Sequence, residues 1–159
     1  MDNEFFKEVL ESGSVTDRLL LDLVQRAILK MREKRSTHLY EMIGFQGRWT
    51  GKRSYRFETD VTPFLHNLNG VVHGGIVAYI ADTAMGSLVH RLLPPDKMSV
   101  TSEIKINYIS AVREGKLITL ADVLHLGKRT AVAECKLYTG AGDLVAASSA
   151  SFVILDQKR

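Results

Sequence analysis

Residues 65–82 read Leu65-His66-Asn67-Leu68-Asn69-Gly70-Val71-Val72-His73-Gly74-Gly75-Ile76-Val77-Ala78-Tyr79-Ile80-Ala81-Asp82. From the glycine pair onward the chain is apolar, and the spacing predicts a helix from Gly75 to Arg91. Ile76, Val77, Tyr79, Ile80, Ala84, Met85, Leu88 and Val89 leave it almost no polar face. A helix that is apolar all round has to be covered on most of its sides. The run from Gly74 to Val89 is shorter than the ~18–20 residues a bilayer requires and carries Asp82, so it reads as a buried helix rather than a membrane span. Pro94-Pro95 stops it.

The segments on either side supply the cover. Downstream, Val100–Ile109, Lys116–Leu126, Thr130–Tyr138 and Leu144–Leu155 are four runs rich in alternating and β-branched residues. Arg113-Glu114-Gly115, Gly127-Lys128-Arg129 and Gly140-Ala141-Gly142-Asp143 punctuate them as turns. Upstream, residues 39–63 read as two strands. Met42, Gly44, Gln46 and Arg48 alternate with Ile43, Phe45, Gly47 and Trp49, then a turn at Thr50-Gly51-Lys52 leads into Tyr55, Phe57 and Val61, and Pro63 ends the pair. The expected architecture is α+β: an antiparallel sheet of about six strands wrapped around one central helix.

Residues 1–36 form a helical extension ahead of a domain spanning 37–159. Leu19, Leu20, Leu23, Val24, Ala27, Ile28 and Met31 recur at spacings of three and four. Ser14 with Asp17 resembles a capping box at the start of that helix, and a shorter helix is expected over Glu4–Glu11. A DNA-reading helix pair is discounted, because the second helix would present mostly leucine to the bases.

Composition narrows the classes. A chain of 159 residues with 45% hydrophobic and 25% charged residues is one globular domain in size. A single cysteine, Cys135, rules out a disulfide scaffold and a thiolate zinc site, and suits a reducing, cytoplasmic setting. The acidic N-terminus has no secretory pattern. Net charge is +3, with its densest basic run at Lys30–Arg35, too mild and scattered for a nucleic-acid partner. The histidines lack ligand-like spacing, and no metal or cofactor is expected. Cys135 lies in a strand with no base assigned to it, which argues against a nucleophilic thiol.

Two features of the quoted stretch carry chemistry. Asp82 is a carboxylate more than two turns inside an apolar helix, a costly position unless it is paired or functional. His73-Gly74-Gly75 brings glycine to a helix N-terminus, where free N–H groups and the macrodipole favour negative charge, as on a polarised carbonyl oxygen. Eight residues of helix separate Gly74 from Asp82 by ~12 Å, so one small carbonyl cannot meet both. If both act on one bond, Asp82 comes from an antiparallel second copy, and the chain is a twofold dimer with two composite sites.

Asn67-x-x-Gly70-x-x-His73-Gly74-Gly75 followed by Asp82 resembles the signature of hot-dog-fold acyl-CoA thioesterases. It is most similar to the phenylacetate-degradation and human thioesterase-superfamily-member-2-like group. The similarity runs from about Leu39 to Leu155, taking in Ile106-Asn107-Tyr108 and the Gly127-Lys128-Arg129 hairpin. It implies an enzyme that hydrolyses an acyl-CoA thioester in a homodimer, itself paired into a homotetramer. Asp82 would be general base or nucleophile, and Gly74, or less readily Gly75, would donate its N–H to the thioester oxygen. Asn67 and His73 would position the carbonyl or hold the loop. Thr101 would orient water, with its neighbour Ser102 as the alternative. Lys128 and Arg129, with Arg113 as a further candidate, would meet the coenzyme A phosphates, and Phe64, Tyr79 and Met85 would wall the acyl pocket. The competing function is a non-catalytic acyl-CoA-binding or sensing module, which would bind without turnover. Dehydration of hydroxyacyl thioesters would need a different His/acid arrangement.

Overall fold

The computed structural model describes residues 3–34 and 36–157. Met1, Asp2, Arg35 at the end of the basic run, Lys158 and Arg159 lie outside the described residues. Two compact units divide the chain, Met1–Phe45 and Gln46–Arg159.

Among the described residues the first unit holds three helices, α1 (Asn3–Ser12), α2 (Val15–Glu33) and α3 (His38–Ile43). The capping box at α2 is present: Asp17 N–H donates to Ser14 Oγ at 3.1 Å, and Ser14 N–H donates back to the Asp17 carboxylate at 3.0 Å. Helix α3 replaces the first half of the expected strand over residues 39–49. Thr37 caps its start, and Gly44 closes it at φ 75°, a left-handed torsion that glycine adopts without a Cβ penalty. Only Gln46–Trp49 remains extended, as β1.

A buried acid ties α3 to α2. Glu41 is 2% exposed. It accepts from Ser36 Oγ at 2.6 Å and pairs with Lys34 at 2.9 Å and Lys30 at 3.5 Å. Burial pushes its carboxyl up, but the Ser36 and Lys34 hydrogen bonds and the two lysine charges outweigh burial and hold it below its ordinary 4.5.

The second unit is a six-stranded antiparallel sheet in the order β1-β2-β4-β5-β6-β3 with one long helix, α4 (Gly74–Leu92). The other strands are β2 (Ser54–Asp60), β3 (Lys97–Tyr108), β4 (Lys116–Leu126), β5 (Thr130–Thr139) and β6 (Leu144–Asp156). A single 3-10 turn, Pro63–Leu65, leads from β2 toward the helix. The sheet wraps α4, which packs against β3, β4, β5 and β6. Ile80, Ala81, Ala84, Met85, Leu88 and Val89 have no exposed surface, and each large side chain among them contributes roughly 1.5–3 kcal/mol by leaving water.

The cover is one-sided. Gly75 is exposed, and Tyr79, Asp82 and Gly86 are half-buried along the same stripe. The chain therefore leaves uncovered a face of α4 that its apolar sequence predicts to be covered. Met85 is wholly buried against the sheet.

The two edges of the sheet differ. β1 is four residues long, whereas β3 is twelve and exposed over most of its length, with Val100 at 40% and Ile104 at 36%. Among the described residues no helix is long and apolar enough to cross a membrane.

Cys135 on β5 lies beneath α4, its Sγ directed at the Ala81 carbonyl at 3.9 Å. Burial, with the Glu134 charge adding, pushes its thiol up to about 12. A soluble disulfide reagent is therefore expected to leave Cys135 unmodified in the native protein at pH 8 and to label it stoichiometrically after unfolding in guanidinium.

Because Glu41 titrates lower in the folded chain, its pairing stabilises above pH 4.5 and is lost as pH falls through the folded value. Glu41→Gln should reduce stability at pH 7 by about 1.5–3 kcal/mol, the scale of hydrogen bonds to a charged group. The gap between wild type and variant in urea unfolding should close as the pH is taken below 4.5.

Candidate active site

The N-terminus of α4 permits a complete count of its unpaired donors, the first four N–H groups that no helical turn can satisfy. His73, the N-cap, donates its N–H to Leu65 O at 2.8 Å. Gly75 donates to the His73 ring nitrogen Nδ1 at 3.0 Å, and Ile76 donates to the His73 carbonyl at 2.8 Å. The Gly74 N–H alone has no acceptor among the described residues.

Of the two glycines, then, Gly74 carries the free donor, and the Gly75 donor is consumed by the cap. Its neighbours reinforce it. The carbonyl of the same His73–Gly74 peptide accepts from both Ile76 and Val77, at 2.8 and 3.1 Å, which polarises the peptide and strengthens its N–H as a donor. The need for glycine at 75 is one of space, since a Cβ there would lie 3.3 Å from His73 Nδ1. His73 thus works as a cap, with Nδ1 unprotonated and accepting.

The loop ahead of the helix is held by its own side chains. Asn67 Oδ1 accepts the N–H of Asn69 at 2.9 Å and that of Val71 at 3.5 Å, while Asn67 N–H donates to Val71 O and Gly70 N–H donates to Asn67 O. Arg113, a further candidate for a phosphate contact, donates through Nη1 to the carbonyls of Asn69 and Gly70 at 2.9 and 3.4 Å. Val72 N–H donates to Val112 O at 2.9 Å, so the segment after β3 pins the loop from the other side.

Two turns along α4, Asp82 lies on the half-buried stripe. Thr101 on β3 donates its hydroxyl to Asp82 Oδ1 at 2.7 Å. Asp82 forms no ion pair with a cation among the described residues. One carboxylate oxygen is held, and Oδ2 has no donor among the described residues. Ser102, the alternative to Thr101, points elsewhere and donates to Ser151 O at 3.0 Å.

A cavity of about 270 Å³ opens beside Gly74, lined by Val72, Val77, Tyr108, Val112 and Val145 among others. Phe64 and Tyr79 are not among its walls. Tyr108 closes one side, its ring 3.6–3.8 Å from where a Gly74 Cβ would sit and its hydroxyl donating to the Gly74 carbonyl at 3.1 Å. Sequence reasoning noted Tyr108 only within a shared motif and missed this contact, because strand alternation does not show which face the residue takes. Lys128 and Arg129 are exposed in the β4–β5 hairpin, away from this lining. Among the described residues, no three His, Cys, Asp or Glu side chains gather as a metal site.

Similarity to known proteins agrees with this geometry. The sequence profile of the thioesterase superfamily matches residues 69–146, the segment from the loop ahead of α4 to the start of β6. The chain resembles a Bacillus halodurans protein whose crystal structure contains CoA, at 34% identity and TM-score 0.83, covering 94% of this chain and 99% of that one. A Saccharolobus solfataricus protein, named as a candidate esterase, is 30% identical over 116 residues, 73% of this chain and 77% of that one. The 1,4-dihydroxy-2-naphthoyl-CoA hydrolase of Listeria monocytogenes is 25% identical over 121 residues, 76% of this chain and 98% of that one. The chain belongs to the thioesterase superfamily, and with its six-stranded sheet wrapped on one helix it is a thioester hydrolase of the hot-dog fold.

Proposed function

We propose that the chain hydrolyses an acyl-CoA thioester to the free acid and CoA, using Asp82 of one protomer and the Gly74 N–H of a second. The observation that carries this reading is the single unpaired N–H at the start of α4, eight residues from a carboxylate whose partner is a hydroxyl rather than a cation. The CoA in the Bacillus halodurans structure and the named activity of the Listeria relative support the substrate class. A reducing, cytoplasmic setting belongs to the same reading, supported by the single free thiol.

The chemistry follows from where charge develops. As the carbonyl carbon is attacked, its oxygen becomes negative, and the polarised Gly74 N–H, backed by the helix dipole, stabilises that charge. The attacking oxygen belongs to water, with Asp82 taking its proton, or to Asp82 itself. In either course Oδ2 is the atom that acts, because Thr101 occupies Oδ1. Collapse breaks the carbon–sulfur bond. On the water course the thiolate takes up the proton that Asp82 has accepted; on the other, the acyl group stays on Asp82 as a mixed anhydride, which a water hydrolyses to the free acid and the regenerated carboxylate, with a proton from that water passing to the thiolate.

A dimer reconciles the ~12 Å along one helix with the ~3 Å that each contact requires. The twelve-residue edge of β3 has unpaired backbone groups and exposed Val100 and Ile104, the kind of edge that recruits another strand. Two copies joined there about a twofold axis would set their α4 helices antiparallel. Asp82 meets the partner's Gly74 when the axis passes near Ala78, midway between them. Gly75, Ala78 and Gly86 on or beside the uncovered stripe permit a close approach of the helices. Pairing of dimers into a tetramer is compatible with this site and contributes nothing to it.

Gly74→Pro is a clean test of the donor. Proline is well tolerated at the first helical position, and His73 already has the extended torsions, φ −61° and ψ 134°, that a residue before proline prefers. The variant should fold with unchanged helix content and lose about 10²–10³ in kcat. Asp82→Ala should be similarly inactive in a thiol-release assay across short, long and aromatic acyl-CoA esters. When the two variants are unfolded together and refolded as mixed dimers, one intact site forms in each heterodimer, and specific activity should return to about a quarter of wild type. No recovery in verified heterodimers would sink the shared site. Thr101→Val should retain binding and lower kcat by about tenfold, the scale of one hydrogen bond.

A further inference from the structure

We infer that Tyr108 is a positioning residue for the Gly74 donor, delivered to it by a bulge in β3. The inference rests on the reading that the Gly74 N–H meets the thioester oxygen.

A donor followed by two glycines has a mechanical weakness, because Gly74 and Gly75 impose little restriction on their own torsions. The peptide between them is clamped at both ends. Tyr108 Oη donates to its carbonyl oxygen at 3.1 Å, and its N–H donates to His73 Nδ1 at 3.0 Å. Fixing that plane fixes the torsions on both sides of it and, through them, the direction of the adjoining Gly74 N–H. The ring lies at ordinary contact distance from where a Gly74 Cβ would sit, so packing alone would be served by phenylalanine. The hydroxyl is what grips the peptide.

Tyr108 reaches this place through a change of phase in its strand. Thr101 and Tyr108 are seven residues apart, an odd number that would put them on opposite faces of a regular strand. Yet Thr101 pairs with Phe152 and Tyr108 with Ala146, both buried toward α4. The register shifts between Thr101 and Glu103, leaving Ser102 as the extra residue, and its side chain is tied to Ser151 O at 3.0 Å. Beyond the bulge, Ile104 and Ile106 continue on the helix-facing side opposite Ala150 and Ser148. One strand thereby supplies the hydroxyl on the Asp82 carboxylate and the hydroxyl on the Gly74 peptide, the kind of re-aiming that bulges provide.

The test is steady-state hydrolysis by wild type, Tyr108→Phe and Tyr108→Ala, each in full-length form, using the acyl-CoA ester that wild type turns over fastest, with thermal unfolding in parallel. Tyr108→Phe is expected to keep its melting temperature and KM while kcat falls about tenfold. Tyr108→Ala should lose more kcat, because the ring contact goes as well. A Tyr108→Phe enzyme with wild-type kcat would overturn the positioning role and leave the hydrolysis reading intact. So would a loss expressed wholly in KM. Wild type that releases no thiol from any ester in the panel would remove the hydrolysis reading, and this role with it.

Discussion

An α-helix is a rigid spacer. Eight residues of α4 hold the Gly74 donor and the Asp82 carboxylate about 12 Å apart, and no side-chain rotation closes that gap to hydrogen-bonding distance. Much else in the second unit is consistent with a site completed by another copy. The sheet stops at one face of the helix, the other face keeps small residues among its half-buried positions, and the longest strand but one lies at an edge with its backbone unpaired. A self-sufficient site would have placed acid and donor on two different elements of one chain.

Local electrostatics and local hydrogen bonding work together at the start of α4. Most helix N-termini satisfy their free N–H groups with caps or water. Here the cap residue takes one, its carbonyl another, the preceding segment a third, and a single donor is left, on a residue that lines a small cavity. Asn67 and Arg113 do not reach into that cavity. They stiffen the loop that presents the helix end, which is how a rigid frame gives a backbone group a fixed direction.

The fold was largely legible because its elements obey single periods. Alternation with glycine-bearing turns marks β4, β5 and β6, and the unbroken apolar run marks α4. Helix α3 was hidden because six residues are too few to show a 3.6 period, and Gly44 fits an alternating pattern as readily as it ends a helix; Thr37 and Gly44 as a cap pair were the available signal. At the site, the spacing of Gly74 and Asp82 could be read from helix geometry alone. That His73 would consume the Gly75 donor could not, since it depends on a ring torsion. Tyr108 was invisible for a different reason: Val100-Thr101-Ser102-Glu103-Ile104 reads as uninterrupted strand, and nothing in residue type announces that one of them stands outside the ladder.

That extra residue gives β3 slack in one direction only. Remove Ser102 and the strand would close up into plain alternation, with Thr101, Ile104, Ile106 and Tyr108 still turned toward the helix. Add one residue to the regular stretch between Glu103 and Tyr108, and whatever follows the addition would have to turn over, carrying Tyr108 to the outer surface. The strand should accordingly tolerate the loss of its spare residue far better than the gain of a second.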